Sequence, residues 1–138
     1  MSYARFTVAH WCVLIAVLLP YACSYLAKFR DFGKPPIAGG YDNSDPRGWL
    51  ARQAGWKARA DAAQANSFEA LPFFIGAVII AHQVGAPQTR LDILAVLFVT
   101  LRIIYVVMYV AGLPGIRSAI WALAFLANLG IFLSGWRF

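Results

Sequence analysis

The stretch QANSFEALPFFIGAVIIAHQ (residues 64–83) joins a polar segment to a long apolar one. Past Glu69 it contains no Asp, Glu, Lys or Arg, although Asn66 and Glu69 stand three residues apart at its start. That spacing places both side chains on one face of a helix. A spanning helix needs roughly 20 mainly apolar residues, because the hydrocarbon layer of a bilayer is about 30 Å thick. We therefore interpret this stretch as a membrane helix with a polar face near one end.

The whole chain has the composition of a membrane protein. Of its 138 residues, 61% are hydrophobic and only 13% are charged, and the mean hydropathy is +0.64. This exceeds what one soluble core of that size requires. The longest polar stretch, residues 28–59, is a connection between two apolar segments and leaves no room for a soluble domain. We predict an all-α integral membrane protein, a single domain with four transmembrane helices over residues 6–26, 46–83, 90–111 and 116–136.

The second of these helices is predicted to extend into the cytoplasm. Ser44 and Asp45 precede Pro46, and an oxygen-bearing side chain followed by proline is typical of a helix start. The sequence then continues, rich in alanine, without another proline until Pro72. Gly55 is a weak point in this helix, because glycine in a helix interior costs about 1 kcal/mol relative to alanine.

The net charge of +6 is unevenly distributed. Seven cations lie in or beside the first connection: Lys28, Arg30, Lys34, Arg47, Arg52, Lys57 and Arg59. Positive charge marks the cytoplasmic side, so both termini are predicted on the opposite side, and a bacterial inner membrane is the expected location. A basic chain can also bind nucleic acid, but here the cations flank membrane helices, and no nucleic-acid partner is predicted.

The cysteines and histidines do not predict a covalent or metal site. Cys12 and Cys23 are 11 residues apart on one predicted helix, about 16 Å along its axis, which a disulfide cannot bridge. His10 and His82 have no cysteine or carboxylate close in sequence to complete a ligand set. We therefore assign these four side chains to packing, and predict no metal ion.

The third helix carries a polar stripe that matches the second helix in depth. Arg102, Tyr105 and Tyr109 follow i, i+3, i+7 spacing. The short turn at residues 85–89 joins the second and third helices on the side away from the cytoplasm. Counted from Gln83 on one side of this turn, Glu69 lies about 21 Å deep, and counted from Arg90 on the other side, Arg102 lies about 18 Å deep. Ionisable groups at such depth need a partner or a water-filled cavity. We predict a polar crevice open to the cytoplasm; the alternative is a structural ion pair between Glu69 and Arg102, with the tyrosines as interfacial aromatics.

Four motifs, in this order, resemble one known family. They are SDP (44–46) before the second helix, NSFE (66–69) with a following proline, RIIYVVMY (102–109) and GIRS (115–118). This set is similar to the membrane-associated proteins in eicosanoid and glutathione metabolism, the MAPEG family. The resemblance covers nearly the whole chain, and is greatest to the microsomal glutathione transferase and prostaglandin E synthase branch.

The resemblance implies a homotrimer that binds glutathione between neighbouring subunits. The glutathione-binding residues it implies are Arg59, Asn66, Glu69, Arg102, Tyr105 and Tyr109, with Glu69 taking the amino group and Asn66 fixing the peptide backbone. Many relatives have an arginine in the turn before the asparagine, where this chain has only alanines and a glutamine. The resemblance therefore implies that Arg59 or Lys57 replaces that arginine.

The resemblance also implies the chemistry. The protein would be a glutathione-dependent transferase or peroxidase that activates the glutathione thiol toward a lipophilic electrophile or hydroperoxide arriving from membrane lipid. The implied catalytic residues are Arg117, Ser118 and Tyr109, because a cation or a hydroxyl donor stabilises a thiolate. Trp121 and Phe125 of the fourth helix would border the path of the acceptor.

Two other functions are consistent with four membrane helices. A noncatalytic lipid-binding or scaffold protein of the same fold would share every motif described above. A small multidrug exporter typically carries an essential carboxylate in its first helix, and residues 6–26 contain no acid. The exporter is therefore disfavoured, whereas binding and turnover of glutathione would separate the enzyme from the scaffold.

Overall fold

The computed structural model describes residues 5–137, and these form an all-helical chain. The helices are α1 (Val8–Lys28), α2 (Pro46–Ala51), α3 (Trp56–Gln83), α4 (Gln88–Ala111) and α5 (Pro114–Leu133), with a 3-10 turn at Pro36–Ala38. Four of them, α1, α3, α4 and α5, are long and apolar enough to cross a membrane. The predicted all-α fold with four transmembrane helices is confirmed.

Helix packing follows from short connections and small side chains. α1 packs mainly against α3, and α4 mainly against α5, while α3 also contacts α4 and α5. The core contains many alanines, and at its centre the rings of Phe74 and Phe98 stack with centroids 4.2 Å apart. Small residues let membrane helices approach closely. We call the end of the bundle with residues 29–55 the loop end, and the end with residues 84–87 the turn end.

Most of the apolar surface faces outward. Between 22% and 33% of the apolar window of each spanning helix is buried within the chain. Exposed apolar patches larger than a few hundred Å² are rare on soluble monomers. The remaining surface must therefore contact lipid or other subunits, as expected of an integral membrane protein.

The prediction of one continuous helix over residues 46–83 is wrong. α2 ends at Ala51, and α3 begins at Trp56. Between them, Gly55 has φ 64° and ψ −139°, a conformation that residues with a Cβ atom rarely adopt. The glycine that looked like a weak point is the place where the helix breaks, although α3 still begins ten residues before Asn66.

The predicted start of the broken helix is found where the sequence placed it. The Asp45 carboxylate accepts a hydrogen bond from the Gly48 amide at 3.1 Å, and Pro46 occupies the first turn of α2. The side chain satisfies one of the amides that a helix start leaves unpaired.

The connection after α1 is fastened to the beginning of α3. Asp31 is 5% exposed and accepts a hydrogen bond from Lys57 at 2.5 Å, with Lys34 at 3.7 Å. The ring of Trp56 lies against Phe29, with centroids 6.5 Å apart. These contacts fix the start of α3, and thereby the helix face that continues into the membrane.

Replacing Gly55 with alanine tests the break. A Cβ atom at this position would meet no other atom within 4 Å, so the substitution changes only the backbone preference. We expect Gly55→Ala to lower the free energy of unfolding by about 1–3 kcal/mol, measured by thermal unfolding in detergent. Gly115→Ala, in the first turn of α5 with equally open surroundings, should cost nothing; equal losses in both variants would contradict the backbone explanation.

Candidate functional site

A cavity of about 220 Å³ lies between α3, α4 and α5. The side chains that line it share one face of each helix, with i, i+3, i+4, i+7 spacing on α3 and on α5. They are Asn66, Glu69, Ala70 and Phe73 of α3, Phe98 and Arg102 of α4, and Trp121, Ala124, Phe125 and Asn128 of α5. The wall is polar where α3 and α4 meet toward the loop end, and mostly aromatic elsewhere, with Asn128 as a second polar group.

Arg102 is the buried cation of this cavity. Its side chain is 3% exposed, and its Nη2 atom donates a hydrogen bond to Oδ1 of Asn66 at 2.6 Å. The guanidinium also lies over the ring of Tyr105, 4.3 Å from the centroid. A guanidinium has five N–H donors, so these contacts leave donors available to a ligand in the cavity.

Glu69 shares the cavity with Arg102 but is not bonded to it. The Glu69 side chain is exposed in the isolated chain, and no ion pair involves it within residues 5–137. The alternative of a structural ion pair between these two residues is therefore wrong, because the amide of Asn66 takes the place of the acid. Glu69 still lines the same cavity as Arg102, and its carboxylate remains available to a cationic group.

The polar stripe of α4 continues from the cavity toward the loop end. Tyr105 is buried, and its ring lies 5.7 Å from that of Tyr109. Arg117, at the start of α5, places its guanidinium 4.1 Å from the centroid of the Tyr109 ring. The structure thus brings together Arg102, Tyr105, Tyr109 and Arg117 in one continuous series of contacts, as the spacing on α4 predicts.

The remaining residues that the sequence analysis singled out lie beside this series of contacts and not within it. Arg59 donates a hydrogen bond from Nε to the carbonyl of Val110 at 2.9 Å, beside the end of α4. Ser118 is exposed and does not line the cavity. Lys57 is held by Asp31, so of the two candidates for the missing arginine, Arg59 is the one that contacts α4.

The sequence did not predict that Asn128 and two aromatic residues, Phe73 and Phe98, line the cavity. Asn128 is 3% exposed and lines the cavity seven residues after Trp121. The signal was available, because Phe125 and Trp121 were already assigned to one face and Asn128 continues that face. Phe73 and Phe98 were hidden among many apolar residues of α3 and α4.

The arrangement combines three chemical functions within a membrane helix bundle. It offers a buried cation, a carboxylate with no ion-pair partner among residues 5–137, and an aromatic wall that is exposed in part in the isolated chain. Such a site suits a ligand with charged groups at one end and an apolar reaction partner at the other. These features define a helical membrane protein with a polar cavity between three of its candidate membrane spans.

Comparison with known families identifies the group. The model of the MAPEG family matches residues 8–136, essentially the whole chain. The chain therefore belongs to the MAPEG family, whose functions lie in glutathione-related and eicosanoid metabolism. No curated protein and no solved structure matches the chain significantly.

Removing the amide that holds Arg102 should destabilise the fold. Asn66→Ala leaves a buried guanidinium without its hydrogen-bond acceptor, so we expect the free energy of unfolding to fall by about 2–4 kcal/mol. Gln64→Ala removes an amide from the same helix outside the cavity, and should change stability by no more than about 0.5 kcal/mol. Equal losses in unfolding experiments in detergent would show that Asn66 does not support Arg102.

Proposed function

We propose that the protein is a glutathione-dependent transferase or peroxidase of the membrane, acting on a lipophilic electrophile or hydroperoxide. The observation that carries this proposal is the cavity in which Arg102, held by Asn66, shares one wall with the unpaired carboxylate of Glu69. A buried cation beside a free acid is costly in a membrane. A ligand with both charge signs would offset that cost.

Glutathione matches these groups in charge and in length. It has one ammonium group for Glu69 and two carboxylates for arginines, and arginine binds carboxylates in a planar, bidentate way. Arg102 and Tyr109 are seven residues apart on α4, about 10 Å along the helix axis. A tripeptide extended at about 3.3–3.6 Å per residue covers that distance, so glutathione would reach from Glu69 to the loop end.

Arg117 is the residue we assign to the thiol. A free thiol has a pKa of about 8.5, and a nearby cation lowers it by stabilising the thiolate. Tyr109, which lies under the Arg117 guanidinium, and Ser118, next in the chain, would add hydrogen-bond donors. Arg117 lies about one turn before Trp121, about 6 Å along α5. A thiolate at Arg117 would therefore face the aromatic part of the cavity.

The aromatic part would receive the acceptor. Phe73, Phe125 and Trp121 form stacked pairs, with Phe73 and Phe125 centroids 5.9 Å apart and Trp121 and Phe125 centroids 5.6 Å apart. Phe125 and Trp121 are also exposed in the isolated chain. A lipophilic molecule dissolved in the bilayer could therefore enter beside α5 without crossing water.

A homotrimer, with the site facing the cytoplasm of a bacterial inner membrane, belongs to the same proposal. An exposed carboxylate at lipid depth, such as Glu69, is costly unless another subunit or a ligand covers it. The basic connection at the loop end favours the cytoplasmic side. A neighbouring subunit placed against α3 would close the cavity over glutathione.

Two substitutions test the assigned roles. Glu69→Gln removes the partner of the glutathione ammonium group, so we expect glutathione to bind at least about tenfold more weakly, measured by calorimetry in detergent. Arg117→Ala should leave binding nearly unchanged, and lower the rate of conjugation to an aromatic electrophile by about 100-fold. It should also abolish the ultraviolet absorbance of bound thiolate.

Matched controls remove the same groups elsewhere. Asp45→Asn keeps a helix cap that asparagine fills equally well, and Arg47→Ala removes an exposed cation of α2; both should behave as wild type. A wild-type protein that binds no glutathione at millimolar concentration would disprove the transferase. Binding without thiolate absorbance or turnover would instead support a noncatalytic lipid-binding or scaffold protein.

A further inference from the structure

An unpaired polar atom marks the part of the cavity farthest from the loop end. Asn128 lines the cavity on the same face of α5 as Trp121 and Phe125. Its Oδ1 atom is buried and has no hydrogen-bond partner in the part of the chain that the structure describes. A buried amide oxygen is normally satisfied. The Oδ1 atom of Asn128 therefore needs a hydrogen-bond donor that residues 5–137 do not supply.

The direction of the helices separates Asn128 from the charged groups. α3 and α5 both run from the loop end to the turn end. Phe73 contacts Phe125 and Phe132 of α5, so Asn128, between those two, lies near the level of Phe73. Asn66 precedes Phe73 by seven residues, about 10 Å along the axis. Asn128 thus forms a second polar point, distinct from the cluster around Arg102.

The space between the two polar points suits an aromatic ring. A cavity of about 150 Å³ with apolar walls can hold benzene, and this one measures about 220 Å³, enough for a ring with substituents. Phe73, Phe98, Trp121 and Phe125 all present rings to it. Aromatic rings favour offset-stacked or edge-to-face neighbours, so these walls select an aromatic ligand over an aliphatic one.

The amide of Asn128 defines the polar group of that ligand. A side-chain amide has one acceptor oxygen and one donor nitrogen, and which of them faces the cavity depends on a rotation of the group. A hydroxyl both donates and accepts, so it bonds to the amide in either orientation. We propose that the cavity binds a small hydroxylated aromatic molecule, with its ring among these aromatic walls and its hydroxyl on Asn128.

This inference deepens the proposed function and rests on it for the role of the ligand. The ligand would be an acceptor that carries, opposite its hydroxyl, either a leaving group that the thiolate displaces or a hydroperoxide that it reduces. A molecule anchored by its hydroxyl at Asn128 would direct the opposite side of its ring toward Trp121 and the loop end. That side is where the proposed thiolate at Arg117 would lie. Binding of the molecule does not itself require glutathione, so it can be measured alone.

Two probes that differ by one group test the inference. 4-Fluorophenol and 4-fluorotoluene have nearly the same shape, with a hydroxyl in one and a methyl in the other. Fluorine NMR titrations in detergent, without glutathione and with empty micelles as a blank, would give the affinity of each. We expect the wild-type protein to bind 4-fluorophenol roughly five- to tenfold more tightly, as one additional hydrogen bond provides.

Asn128→Leu should remove this preference and leave 4-fluorotoluene bound at least as well. Leucine has the same branched outline as asparagine but is larger, and the adjoining cavity can take up the extra volume. The substitution also removes an oxygen that has no partner among the described residues, so the variant should keep or raise its melting temperature. Ser134→Ala, which removes a buried hydroxyl bonded to the Gly130 carbonyl, is the matched control on α5 and should keep the preference.

Two results would overturn the inference. The first is equal affinity of the wild-type protein for both probes, or no binding of either beyond the micelle blank, as expected if Asn128 bonds to a buried water. The second is a preference that persists in Asn128→Leu, which would place the hydroxyl elsewhere. Glutathione is absent from this titration, so a failure here and a failure of glutathione binding are separate results.

Discussion

The hydrogen bond between Arg102 and Asn66 is the interaction on which the rest of the site depends. A guanidinium that is 3% exposed within a membrane helix is tolerated only with a partner. Asn66 supplies an acceptor at 2.6 Å without neutralising the charge, as a carboxylate would. The cavity consequently retains a cation that can bind an anion, and Glu69 retains a charge that can bind an ammonium group.

The helices α3, α4 and α5 each contribute different chemical groups to the site. α3 contributes the acceptor and the acid, α4 contributes the cation and the two tyrosines, and α5 contributes Arg117 at one end and the aromatic wall beyond it. The short turns make consecutive helices antiparallel neighbours, so residues far apart in sequence come to the same depth. The salt bridge between Asp31, in the connection after α1, and Lys57 fixes where α3 starts. The start of α3 in turn sets the direction of its polar face.

The sequence was sufficient for the features that depend on length, composition and depth. Four apolar segments predicted the four spans, and counting residues from the short turn between the second and third spans brought Glu69 and Arg102 to about the same level. It was insufficient for features that depend on rotation and backbone conformation. Asn66 and Glu69 share a helix face and differ by about 4.5 Å along the axis, and counting residues did not predict that Arg102 bonds to Asn66.

The two largest errors of the sequence-based prediction, at Gly55 and Asn128, have physical causes of the same kind. The break at Gly55 requires a positive φ, and a glycine in an alanine-rich stretch does not reveal which conformation it adopts. Asn128 lies in an apolar segment with no formal charge, and only packing shows that its Oδ1 atom is buried without a hydrogen-bond partner among residues 5–137. The resemblance to the MAPEG family gave roles to Arg117 and Tyr109, and the structure places these two side chains in contact.

A double-mutant cycle between Asn66 and Arg102 tests the central interaction most directly. The free energies of unfolding of Asn66→Ala, Arg102→Met and the double variant would be compared with that of the wild-type protein in the same detergent. Residues that share a buried charged hydrogen bond should show a coupling free energy above about 1 kcal/mol. Additive losses, with a coupling near zero, would mean that Asn66 does not hold Arg102, and would contradict the charged cavity described above.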